Sequence, residues 1–155
     1  MQVREIMSTD VETLSPDLPV SDLEDRLISH RVGGFPVVDE GKLVGMVTRS
    51  DLVRVLDLEH TIDAQLGEAV GAVAEADSAT GRGARIGARL EAMTVADVMI
   101  RGVVFVSPAD DVAEAARTMV SKRVHRLPVV DGGRLVGIVT SLDVARLVAE
   151  GRSAS

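Results

Sequence analysis

A chain of 155 residues suits one ordinary domain or two very small ones around a shared core, and its 46% hydrophobic content is enough to build that core. Two Phe and no Trp or Tyr leave the core to Val, Leu, Ile, Ala and Met and remove aromatic platforms for single-stranded nucleic acid. A formal net charge of -7 disfavours a phosphate backbone as partner, and the absence of cysteine excludes disulfides and thiolate chemistry.

The N-terminal MQVREIM has no apolar run of the signal-peptide kind. No stretch approaches the about 18 apolar residues that would span a bilayer. A soluble cytoplasmic protein without a membrane partner is the expectation. Residues 3 to 7, VREIM, are predicted as a short helical turn, and residues 95 to 99, VADVM, repeat the pattern. Val11 to Ser15 and Val103 to Ser107 are β-prone, and each stops at a proline, Pro16 or Pro108, which lacks a ladder donor.

Helical periodicity follows over residues 19 to 31 and 110 to 123. Val20, Leu23, Leu27 and Ile28 are expected on one buried face, and Val112, Ala115, Ala116, Met119 and Val120 on the other helix's. Asp22, Asp25, Arg26, Glu114 and Arg117 read as solvated surface. Next come Pro36 to Val38 and Leu43 to Val47 around an Asp/Gly turn, then Pro128 to Val130 and Leu135 to Val139 around another. Each pair predicts a hairpin whose Gly41 or Gly133 supplies a positive φ. Thr48 to Asp51 and Thr140 to Asp143 close the two stretches, each leading into a helix.

The copies are related by a constant shift of 92 residues without a gap, as from Asp51 to Asp143. A unit of about 50 residues would be marginal alone, so pairing of the two is expected. Between them, Leu58 to Ala76 has helical composition and Asp77 to Gly87 reads as a flexible glycine-rich loop, with a short helix expected over Ile86 to Met93. Gly81, Gly83 and Gly87 have neither the spacing nor the preceding strand of a dinucleotide fingerprint. The expected divisions are 1–58, a helical or flexible insertion 59–91, 92–150, and a disordered tail 151–155.

Paired units ending in G-h-h-T-x-x-D, here Gly45 to Asp51 and Gly137 to Asp143, after Pro36 to Asp39 and Pro128 to Asp131, resemble tandem CBS domains. Such a pair is often called a Bateman module. The resemblance implies an α/β (α+β) fold: two repeats, each a small three-stranded sheet with flanking helices, paired about a pseudo-twofold axis. It implies an adenosine-containing ligand (AMP, ADP, ATP or S-adenosylmethionine) in the cleft between repeats. Asp51 and Asp143 would accept from ribose hydroxyls, and Thr48 and Thr140 would meet ribose or phosphate. Adenine would lie near Thr13, Leu14, Phe35 and Pro36, and in the second copy near Phe105, Val106, Leu127 and Pro128.

His125 and Arg126 resemble a His-Arg pair that meets nucleotide phosphate in that family. The first repeat departs from it, with Gly33 and Gly34 at those positions. Charge is therefore expected chiefly from the second repeat.

Simpler readings stand beside these. Thr48, Ser50 and Asp51 sit where helix N-caps are expected. His125 and Arg126 also suit a helix-end surface. His30 and His60 have no partners at metal-ligand spacing. The methionines read as core filler, and no catalytic constellation or cofactor is implied. Two functions remain open. One is a non-enzymatic ligand sensor acting as a homodimer or on a separate effector protein. The other is a constitutive dimerisation module with degenerate sites.

Overall fold

The two Asp/Gly stretches close as two-residue hairpin loops. Glu40 and Gly41 have φ of 49° and 82°, and Gly132 and Gly133 have φ of 55° and 82°. Positive φ at both central residues is the loop geometry whose twist matches the flanking strands. The computed structural model describes residues 1–30, 32–70 and 88–152.

In chain order the elements are a 3-10 turn Val3–Glu5, α1 Val20–Ser29, β1 Gly34–Asp39, β2 Lys42–Thr48, α2 Arg49–Val70, α3 Val95–Val98, α4 Val112–Lys122, β3 Arg126–Asp131, β4 Arg134–Thr140 and α5 Ser141–Ala149. Residues 88 to 92 are also helical. The mixed helix-and-strand fold has one four-stranded sheet of order β1-β2-β4-β3, with β2 and β4 joined at Lys42 and Arg134. The helix expected from Leu58 is continuous with α2 as far as Val70. The glycine-rich stretch of residues 77–87 lies outside the described residues, as do residues 153–155 of the expected tail.

Two compact units interleave along the sequence. One takes Met1–Thr13, Val38–Val44 and Gly102–Ser155; the other takes Leu14–Val37 and Gly45–Arg101. In the first unit, Val3, Val106, Ala115, Met119, Leu127, Val129 and Val139 form one buried cluster. Its β3-β4 ladder runs from Arg126 opposite Thr140 to Asp131 opposite Arg134. In the second unit, Leu14, Val20, Leu23, Leu27, Phe35, Val37, Val47, Val95 and Val98 are buried.

The lead-in of each copy thus belongs with the hairpin of the other. Ser8 and Ile138 exchange N–H···O bonds of 2.9 Å each, and Met46 and Ile100 exchange bonds of 3.0 and 2.8 Å. Glycine permits this approach. A Cβ on Gly137 would lie 2.8 Å from Met7 Sδ and 2.9 Å from the Ser8 oxygen, and one on Gly45 would lie 2.6 Å from Met99 Sδ. The glycine of G-h-h-T-x-x-D is therefore a docking surface for a methionine.

The β-prone stretches before the prolines contribute less than a full strand. Val106 alone bridges β3 in parallel, donating to the Pro128 oxygen at 3.0 Å and accepting from the Val130 N–H at 2.8 Å. Leu14 does the same beside β1, donating to the Pro36 oxygen at 3.0 Å. Extension stops because the Ser107 N–H turns to Asp110 Oδ2 at 2.8 Å and Pro108 has no donor.

The expected helix faces need one correction in each copy. Ile28 is 65% exposed and Val120, 92 residues on, is 79% exposed. Each sits at the end of its apolar stripe, where the last turn of the helix has moved past the buried residues.

Candidate functional site

In the first unit, the β3-β4 ladder and the start of α5 bring several expected residues together. Arg126 opens β3 directly across from Thr140, which ends β4. Ser141, the first residue of α5, donates its N–H to the His125 oxygen at 2.9 Å. His125 is exposed and Arg126 half-buried. Burial lowers the Arg126 guanidinium below its ordinary value, because the charged form loses hydration. An anion arriving beside it would offset that loss.

Thr140 and Asp143 form a capping box at α5. The Thr140 N–H donates to Asp143 Oδ2 at 2.8 Å and its hydroxyl donates to the same oxygen at 2.6 Å. The Asp143 N–H donates back to Thr140 Oγ1 at 3.3 Å. Asp143 Oδ1 accepts from no described residue, and the carboxylate is part-exposed. Pro128 stands opposite Ile138 on the same ladder, and its oxygen takes the Val106 N–H at 3.0 Å. The Leu127 side chain is fully buried in the core cluster, so Leu127 presents only backbone, whereas Phe105 is 56% exposed. Thr13 is exposed at the end of the Met1–Thr13 segment.

The second unit holds the matching residues of the other copy. The Thr48 N–H and hydroxyl both donate to Asp51 Oδ2 at 2.8 Å. The Arg49 N–H donates to the Gly33 oxygen at 3.3 Å, the counterpart of Ser141 and His125. The Arg49 guanidinium is committed to the end of α1, donating to the Leu27 oxygen at 2.7 Å. Phe35 and Pro36 are buried, and the Pro36 oxygen takes the Leu14 N–H.

The two copies differ in two ways. Asp51 is 1% exposed, and its Oδ1 is sealed from solvent without a hydrogen bond. A Cβ on Gly34 would lie 2.5 Å from the Val47 oxygen and 2.9 Å from Thr48 Cγ2. No side chain fits there, so the absence of an arginine like Arg126 is built into the backbone.

Sequence reading missed Arg54, whose Nη1 lies 3.2 Å from Asp51 Oδ1. The i,i+3 spacing of Asp51 and Arg54 was the available signal. It also missed that Thr94 and Asp97 repeat the Thr-x-x-Asp spacing, the Thr94 N–H donating to Asp97 Oδ2 at 2.8 Å at the start of α3. Among the described residues no three His, Asp or Glu side chains cluster to hold a metal ion. No described helix is long and apolar enough to cross a membrane.

A family model of the CBS domain matches residues 3–58 and 95–150. Among curated proteins, the uncharacterized protein MJ1225 of Methanocaldococcus jannaschii is 31% identical over 151 residues, covering 94% of this chain and 42% of its own length. The chain thus spans less than half of that relative. Among solved structures, the CBS domain pair of protein MJ0100 in complex with 5-methylthioadenosine and S-adenosyl-L-methionine has a TM-score of 0.69 at 26% identity, covering 98% of both chains. The structure of CBSX2 in complex with AMP, a protein of Arabidopsis thaliana, has a TM-score of 0.72 at 25% identity, covering 96% of both.

Proposed function

The chain belongs to the CBS-domain family, carrying two copies in tandem, and from that premise we propose that it is a regulatory module that binds an adenosine-containing ligand without catalysis. The observation that carries this reading is the division of labour within each carboxylate. Oδ2 of Asp51 and of Asp143 is held by the preceding threonine, while Oδ1 accepts no hydrogen bond from a described residue. A carboxylate is an acceptor with several lone-pair sites, and vicinal hydroxyls are donors of matching spacing. Arg126 and His125 supply charge for a phosphate or carboxylate of the ligand. The AMP-bound and S-adenosylmethionine-bound structures similar to this chain support the ligand class.

In this reading the second repeat is the better equipped. It alone opens its hairpin with an arginine, Arg126 across from Thr140, whereas Gly34 at the matching position leaves no room for a side chain. The ligand acts by favouring one state of the module, which a second copy or a separate effector protein reads.

Titration calorimetry on ligand-stripped protein tests the proposal with AMP, ADP, ATP and S-adenosylmethionine. Binding of at least one is expected, weakened by Asp143→Asn and unchanged by a substitution of exposed Glu114. Asparagine keeps an oxygen for the helix cap but presents an amide donor to the diol. No binding by any of the four would leave a constitutive dimerisation module as the reading. The buried, filled Gly34 position favours that alternative for the first repeat alone.

A further inference from the structure

Asp51 Oδ1 combines two properties that do not normally coexist. It belongs to a carboxylate that is 1% exposed, and it accepts no hydrogen bond. The charge that faces it comes from Arg54, one turn further along α2, at 3.2 Å. The Arg54 side chain is 65% exposed. One partner of this ion pair is therefore locked in the protein, and the other stands mostly in water and is cheap to move. The second copy is arranged otherwise. Arg146 stands at the matching position on α5, yet makes no ion pair with Asp143 among the described residues.

An uncompensated buried carboxylate is costly, so the empty site gains from any cation held against Oδ1. A diol entering the same place is neutral and must take over that oxygen. Arg54 and a ribose thus compete for one acceptor.

We propose that Arg54 is a self-supplied occupant of the Asp51 carboxylate, holding the first repeat closed to an adenosine ligand until the guanidinium swings away. This rests on the diol-binding reading of Asp51 given above. It makes the two repeats unequal beyond the lack of an arginine at Gly34: the first is opposed by a contact of its own. It also makes occupancy of the first repeat sensitive to ionic strength, because an exposed guanidinium is screened by salt while a buried carboxylate is not.

The test uses adenosine as the probe, since it has no phosphate for Arg54 to attract. The full chain carrying Asp143→Asn, which silences the second repeat, is compared with the same chain carrying Arg54→Met in addition. Methionine keeps the aliphatic stem and removes the charge and donors. Adenosine is expected to bind the double variant about threefold or more tightly than the single one, on the scale of a partly exposed ion pair. Arg54→Lys, which keeps the charge, is expected to bind like the single variant. Equal or weaker binding after Arg54→Met overturns the proposal. If Arg54→Met does not fold, salt alone decides: between about 50 and 500 mM, adenosine affinity of the Asp143→Asn chain must rise, and a flat or falling affinity overturns the proposal. If neither chain binds adenosine at any salt concentration, the proposal fails; the wider sensor reading fails with it only if wild-type protein also ignores AMP and S-adenosylmethionine.

Discussion

In both repeats a threonine gives its backbone N–H and its hydroxyl to Oδ2 of the aspartate three residues on. The same spacing caps α3, where Thr94 and Asp97 are not candidates for ligand binding and Asp97 is exposed. Spacing in the sequence therefore marks a helix start in all three places and cannot pick out a binding carboxylate. Burial separates exposed Asp97 from Asp51, whose Oδ1 is cut off from solvent and faces the Arg54 guanidinium at 3.2 Å, and burial was not legible because it depends on what packs over the helix. The identity of position 126 was legible, and it carries a prediction. Arg126→Gln is expected to weaken AMP binding about tenfold, the size of one charge-assisted hydrogen bond, and to leave adenosine binding unchanged. Calorimetry with the two ligands reads both effects. Leu127, one residue on, is structural: Leu127→Ala is expected to cost about 2–5 kcal/mol in urea unfolding, because its side chain fills the core cluster.

The hairpins show how much of an element a sequence can state. Two apolar runs around Asp-Glu-Gly-Lys and Asp-Gly-Gly-Arg predict strands and a tight turn, and β1-β2 and β3-β4 form there. The turn chemistry also exposes a flaw. Glu40 holds φ of 49° where the other copy has Gly132. Relief of left-handed strain exceeds the entropy that glycine adds to the unfolded chain, so Glu40→Gly is expected to stabilise by about 0.5 kcal/mol. A shift of the urea midpoint to higher concentration checks it. The lead-ins were legible as elements but not as neighbours. VREIM and VADVM share one pattern, and Gly45 and Gly137 are alike, so nothing local says which methionine meets which glycine. The structure pairs Met7 with Gly137 and Met99 with Gly45. Gly137→Ala puts a methyl group against Met7 Sδ and the Ser8 oxygen and is expected to destabilise by about 1–3 kcal/mol, as overpacking does. A change of that size is readily measured by thermal or urea unfolding.

Interleaving of the two compact units has consequences for the whole chain. Val3 is 0% exposed among residues that lie more than a hundred positions later, such as Val106 and Leu127. Residues 92–155 alone lack it and lack Ser8, the partner of Ile138. That fragment is expected to show little ordered structure by circular dichroism, and to gain structure when a peptide of residues 1–13 is added. Folding of the fragment unaided would mean that the exchanged lead-in contributes little. With a net charge of -7, the protein must also draw an anionic ligand to a local cation, because its overall field repels one. Arg126 and His125 are where that local charge stands. The most direct test is the heat of mixing ligand-stripped, full-length protein with AMP and with S-adenosylmethionine, beside the Asp143→Asn variant. Saturable binding of at least one ligand, clearly weakened in the variant, is the expected result; no heat and no shift in the unfolding midpoint with either ligand would contradict a sensor built on these carboxylates.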